Sequence, residues 1–131
     1  MKKICSILFC LFVLLGNPAV PSAQYSPLLL EDALYSVLFP QINQAIQKHY
    51  GKQKPYECPK LVSMKKVYSG TYMFRTVIQV IKYEPGTGGQ ILPPFERVRI
   101  TFENDEGEWE VKNLEVKRLP NDTKLKCPKP I

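Results

Sequence analysis

Between Phe95 and Glu103 the side chains alternate without a slip: Val98, Ile100 and Phe102 fall on one side, Arg97, Arg99 and Thr101 on the other. A strict period of two belongs to a strand with one dry face and one wet face, and a shift of one residue would exchange them. Asn104-Asp105-Glu106-Gly107 follows, a turn sequence that sends the chain back antiparallel. The run Trp109–Arg118 then resumes as a strand, with Trp109 and Val111 out of phase with Leu114 and Val116. That slip predicts a bulge near Lys112-Asn113. A chain with this hairpin must build an antiparallel sheet and find something apolar to cover one face of it.

The cover comes from upstream. Leu30, Leu34, Val37, Leu38, Ile42, Ala45 and Ile46 recur at helical spacing. Ser26-Pro27 is a helix start, Glu31 and Asp32 lie near the positive end of the dipole, and Gly51 is the expected stop behind Lys48 and His49. Pro40 removes an N–H and predicts a kink near Ser36-Val37, or a division into two helices. After a polar connector, 52–60, two further strands are expected at Leu61–Tyr68 and Tyr72–Tyr83, separated from the hairpin by a loop over Glu84–Pro94. One kinked helix followed by four sequential strands is an α+β domain: a four-stranded antiparallel meander with the helix across one face, cystatin-like in outline.

Residues 1–23 stand apart from this domain. Lys2 and Lys3 precede an apolar run from Ile4 to Leu15, a Gly16-Asn17-Pro18 break, and small residues up to Ala23. This is the layout of a secretory signal peptide. The run falls short of the roughly 20 apolar residues that span a bilayer, so no integral membrane protein is expected. A buried N-terminal core helix is the competing reading, and cleavage after Ser22 competes with cleavage after Ala23. Cys10 does not fit a lipid anchor, since it sits in mid-run behind the large Phe9. The mature chain, 24–131, is then one secreted domain. Losing Lys2 and Lys3 lowers the net charge from +6 to +4, and of the 4 cysteines only Cys58 and Cys127 remain. In an oxidising compartment they have one intramolecular pairing. A four-strand meander brings the start of its first strand and the end of its last to the same end of the sheet, about 14 Å apart at three ~4.8 Å spacings. The tail after Leu119 is long enough to carry Cys127 across to Cys58. Two free thiols or an intermolecular bridge are the alternatives.

Leu38-Phe39-Pro40-Gln41-Ile42, Ile46 leading to His49-Tyr50-Gly51, and Pro93-Pro94-Phe95 entering Ile100-Thr101-Phe102 resemble, in their order and spacing, a family of small exported proteins of Gram-positive spore formers, the domain of unknown function DUF3888. The resemblance runs through Glu115. It implies size and an extracytoplasmic location, secreted or associated with the cell wall, and no mechanism. A Gram-positive source also makes the glycosylation pattern Asn121-Asp122-Thr123 irrelevant.

No residue pattern points to catalysis, a cofactor or a metal. His49 is the only histidine and has no recognisable nucleophile motif beside it; a helix C-terminal role against the dipole is the simpler reading. Pro85-Gly86-Thr87-Gly88-Gly89 lacks both the Lys-Ser/Thr and the helix of a phosphate loop. Glu103, Asp105, Glu106, Glu108 and Glu110 crowd one turn, in a run too short for a calcium loop. Arg97 and Arg99 share a strand face that Arg75, Lys65 and Lys117 can join from neighbouring strands. Outside a Gram-positive membrane such a face would meet anionic wall polymer or lipid head groups, unless it is simply solvated surface. Nucleic acid is not expected, since no recognition signature is present.

Three functions follow from these residues. The first is a non-catalytic exported module that binds anionic envelope components through the Arg75, Arg97 and Arg99 face. The second is a small-ligand or peptide binder using a cleft between helix and sheet, for which an apolar pocket lined by aromatic residues such as Tyr72, Phe74 and Tyr83 would speak. An enzyme comes last, for want of a visible nucleophile, base and orienter.

Overall fold

A computed structural model describes residues 26–131. The expected signal peptide and its cleavage site lie outside the described residues. The first element, α1, runs Pro27–Tyr50. Ser26 precedes it with extended backbone, Pro27 opens it, and Gly51 closes it in the left-handed region at φ 73°, a conformation that glycine adopts at no steric cost. The helix continues through Pro40 and is not divided. Pro40 and Ser36 are both exposed, so the Ser36 carbonyl that lacks an N–H partner faces water and the interruption costs little.

Four strands follow: β1 Tyr56–Lys66, β2 Phe74–Pro85, β3 Ile91–Asp105 and β4 Glu108–Arg118. They pair antiparallel in the order β1-β2-β3-β4, the meander expected from the sequence. Two boundaries differ from expectation. Strand β1 begins at Tyr56 and takes in Cys58-Pro59, which the sequence places in a connector. The register slips between Glu57 and Lys60, where Cys58 has φ 56°; a bulge on an edge strand tolerates the proline. The expected loop 84–94 contracts to a tight turn, because Glu84 pairs with Leu92 and Pro85 with Ile91 around a 3-10 turn at Thr87–Gly89. Pro93 and Pro94 fit into β3 there because β4 pairs with β3 only as far as Glu96, leaving that stretch with a free side.

The β3–β4 turn is closed by Glu106 and Gly107, both at positive φ (51° and 88°), between the paired Asp105 and Glu108. Two such residues make the hairpin turn whose twist matches the strands. In β4, Thr101 faces Asn113 while Phe102 faces Val111, leaving Lys112 as the extra residue. This is the bulge that the phase slip predicts.

Alternation now decides the two faces. Ile78, Val80, Val98, Ile100 and Phe102 form one buried cluster with Tyr35, Leu38, Ile42, Ala45 and Ile46 of α1. Each fully buried aliphatic or aromatic side chain in it contributes roughly 1.5–3 kcal/mol. On the opposite face Ile81 and Phe95 are also buried, although α1 lies on the other side. The tail passes from Leu119, whose N–H bonds the Phe95 carbonyl, to Cys127 beside β1. Along it Thr123, Leu125 and Cys127 are half-buried and the residues between them exposed. Cys58 and Cys127 stand at disulfide distance, with Cα atoms 4.6 Å apart, inside the range a disulfide spans. The tail therefore straps the second face and returns to the β1 edge.

Candidate functional site

The face opposite α1 holds the arginines in cross-strand rows. Lys65, Arg75, Glu103 and Glu110 form one row, Gln79 with Arg99 and Glu115 another, and Ile81 with Arg97 and Lys117 a third. Arg75 is taken by Glu103, to which both its Nε and a terminal nitrogen bond. Arg99 donates to Gln79 Oε1 at 3.1 Å and has Glu115 opposite it. Arg97 stands opposite Lys117, and among the described residues neither makes an ion pair. The structure thus brings the three arginines onto one face, but as a mosaic of both signs in which Arg75 is paired with Glu103 while Arg97 and Arg99 make no ion pair among the described residues.

The other side has two grooves along α1. One lies between the C-terminal half of α1 and β4, about 790 Å³ in volume, with Gln41, Lys48, His49, Trp109 and Asn113 among its lining. His49 sits in the last turn of α1, its ring edge-on to Tyr50 at 4.7 Å between centroids. The acidic residues of the β3–β4 turn are partly engaged: Glu103 holds Arg75 and Glu110 holds Lys112 at 2.6 Å. No group of three metal-ligating side chains converges among the described residues.

The second groove, about 990 Å³, is bounded by the N-terminal half of α1, the first half of β1 and the tail from Lys126 to Ile131. Its apolar surface includes Leu28, Tyr35, Phe39, Tyr56, Leu61 and Ile131. Local structure fixes these side chains. The Leu61 N–H bonds the Tyr35 hydroxyl at 2.6 Å, and Tyr35 in turn donates to Glu31; burial and the Glu31 carboxylate raise the Tyr35 pKa. Tyr56 donates to Asn43 Oδ1 at 2.7 Å, and burial raises its pKa as well. The Ile131 N–H bonds Asp32 Oδ2 at 2.9 Å. Glu31 and Asp32, expected as partners of the helix dipole, therefore serve as acceptors that tie β1 and the tail to α1. Lys60, Lys126 and Lys129 stand on the rim, exposed, and none makes an ion pair among the described residues.

Tyr72, Phe74 and Tyr83, proposed from sequence as pocket aromatics, line neither groove. Tyr72 precedes β2 and is 88% exposed, while the Phe74 ring lies under the Lys66 ammonium. The aromatic lining comes instead from α1 and β1. Tyr35 and Phe39 are one helical turn apart on the α1 flank facing β1, a spacing visible in the sequence although the partner strand was not.

Sequence reasoning also missed a charge network at the end of the core. Lys82, only 3% exposed, places its ammonium 2.7 Å from Glu84 and 3.3 Å from Glu96, with the Tyr50 ring 5.5 Å away. Lys54 reaches Glu84 at 2.8 Å, and the Tyr50 hydroxyl donates to Glu96 at 3.1 Å. Hydrogen bonds from Lys54 and Lys82 pull the Glu84 pKa down to about 2, and burial with the Glu96 charge raises that of Tyr50. Two lysines facing two carboxylates tie β2, β3 and the end of α1 together at this end of the core. Among the described residues no helix is long and apolar enough to cross a membrane.

One family model, described as a protein of unknown function (DUF3888), matches residues 30–117. No curated protein and no solved structure matches the chain.

Proposed function

The chain belongs to the DUF3888 family, whose description names no activity, and we propose that it is an exported, non-catalytic binding protein holding an anionic amphiphile in the groove between α1, β1 and the tail. The observation that carries this reading is the composition of that groove: an apolar wall with Tyr35, Phe39 and Tyr56, and lysines 60, 126 and 129 at the rim. A concave apolar surface with a few polar groups at its mouth is the general form of a small-ligand site. An apolar chain would take the place of water along the aromatic wall, and a carboxylate or phosphate head would meet the lysines, where a partly desolvated charge pair is stronger than in bulk water. Export is supported by the basic start, apolar run and small residues of segment 1–23.

Isothermal titration with decanoate, below its micelle concentration, tests the proposal against decanol of equal chain length. Binding of decanoate that weakens as salt rises, and that is lost in Phe39→Asp with an unchanged circular dichroism spectrum, supports it. Absence of decanoate binding refutes it.

A second reading keeps the sheet face as the binding surface, and one observation favours it: Arg97 and Lys117 stand opposite each other without a carboxylate partner among the described residues. Weak, salt-sensitive binding to anionic wall fragments that disappears in Arg97→Glu/Arg99→Glu would place recognition there. Equal binding by both proteins, or none by either, leaves that face as solvated surface.

A further inference from the structure

We propose that the tail Lys126–Ile131 sets the charge preference of the groove, and that the Cys58–Cys127 link makes this preference redox-dependent. The inference rests on the reading of the groove as a ligand site and adds what selects the ligand and what releases it.

The rim charges carry the argument. From α1 come Glu31 and Asp32, from β1 come Glu57 and Lys60, and from the tail come Lys126 and Lys129. Without the tail the rim is acidic, with three carboxylates against one lysine. With the tail in place the side-chain signs balance, three against three, and two of the acids also hold neutral donors: Glu31 accepts from Tyr35, and Asp32 accepts from the Ile131 N–H of the tail itself. The tail thus supplies two of the three rim lysines and occupies one of the acids that would oppose an anion. It also builds one wall of the cavity through Pro128, Pro130 and Ile131. Docking the tail therefore moves the rim from two net negative side-chain charges to none, so an anionic ligand meets less opposition while the tail is docked.

What docks it is narrow. The polar contacts that fix this segment among the described residues are the approach of Cys127 to Cys58, the contact of Cys127 Sγ with Glu57 Oε2 at 3.9 Å and the hydrogen bond from the Ile131 N–H to Asp32; Pro128 and Pro130 have no N–H to offer. The family match ends at residue 117, before the tail. A dithiol supplies two electrons and two protons: the Cys58–Cys127 S–S bond breaks, each sulfur becomes a thiol, and the dithiol closes to its own disulfide. The tail is then held by the exposed Ile131–Asp32 hydrogen bond and a long thiol contact of Cys127 with Glu57, which together are too weak to keep the segment ordered.

The experiment uses the full mature chain with two probes of equal chain length, decanoate and decyltrimethylammonium, titrated into oxidised and dithiol-reduced protein. The expected result is a roughly tenfold loss of decanoate affinity on reduction, with the cationic probe bound equally well or more tightly. Cys127→Ser should behave as the reduced protein without any reductant. Lys126→Glu/Lys129→Glu, which keeps the link and changes only exposed residues, should show the same reversal of preference; this variant decides the matter if reduction unfolds the domain. Decanoate affinity that is unchanged both in Cys127→Ser and in the double lysine variant overturns the inference while leaving the groove a ligand site. Failure of the oxidised protein to bind decanoate at all refutes the binding reading itself.

Discussion

Glu84 is the keystone of the charge network, because it accepts from both Lys54 and Lys82. Replacing it by Gln removes the charge and keeps the shape. A carboxylate whose pKa falls from 4.5 to about 2 on folding would contribute about 3 kcal/mol at neutral pH, at 1.36 kcal/mol per pH unit. The Glu84 side chain is 32% exposed, and solvent screening reduces such a contribution to about 1–2 kcal/mol. The variant also leaves the Lys82 ammonium buried with only Glu96 near it, which pushes the loss toward the upper end. The pKa is depressed in the folded state, so this stability is fully present above about pH 4.5 and disappears as pH falls toward 2. Urea denaturation of wild type and Glu84→Gln should therefore show a difference of about 2 kcal/mol at pH 7 that shrinks steadily below pH 4.5. Acids common to both proteins cancel in this difference. A gap below about 0.5 kcal/mol at pH 7, or one equally large at pH 2.5, would refute the reasoning.

Three further outcomes are expected. Thr76 is fully buried on the α1 side of the sheet and its hydroxyl has no hydrogen-bond partner among the described residues, so Thr76→Val should raise stability by about 1 kcal/mol in the same denaturation assay. Cys58→Ser opens a link between positions 69 apart in the sequence, and the chain-entropy value of about 4 kcal/mol should appear as a melting temperature lower by at least ~10 °C under oxidising conditions; an unchanged melting curve would mean that the link is absent or energetically idle. N-terminal sequencing of exported material should find a start within a few residues of Gln24, and retention of Met1 would contradict the signal-peptide reading.

Local rules read from the sequence carried far in this protein. The period of two over Phe95–Glu103, the Glu106-Gly107 turn, the Lys112 bulge and the helix between Ser26 and Gly51 all follow from backbone geometry within a few residues, and each stands in the structure as expected. The meeting of Cys58 with Cys127 was expected as well, since they are the two cysteines of segment 24–131 and the tail after Leu119 is long enough to cross the sheet from β4 to β1. What tertiary structure decided depends on pairs far apart in the chain. Whether Pro93-Pro94 or Cys58-Pro59 lies in a loop or a strand is settled by which neighbour demands an N–H, and that is known only once the sheet is assembled. The Arg75, Arg97 and Arg99 face was legible by alternation, but the pairing of Arg75 with Glu103 comes from cross-strand register. Tyr35 and Phe39 become groove aromatics only when β1 and the tail come up beside α1. Lys82, in a run that reads as an ordinary strand, becomes a buried cation because Glu84, Glu96 and Tyr50 converge on it from one hairpin and the end of α1. Pattern along the chain reports which face a side chain takes, and only packing determines what that face meets.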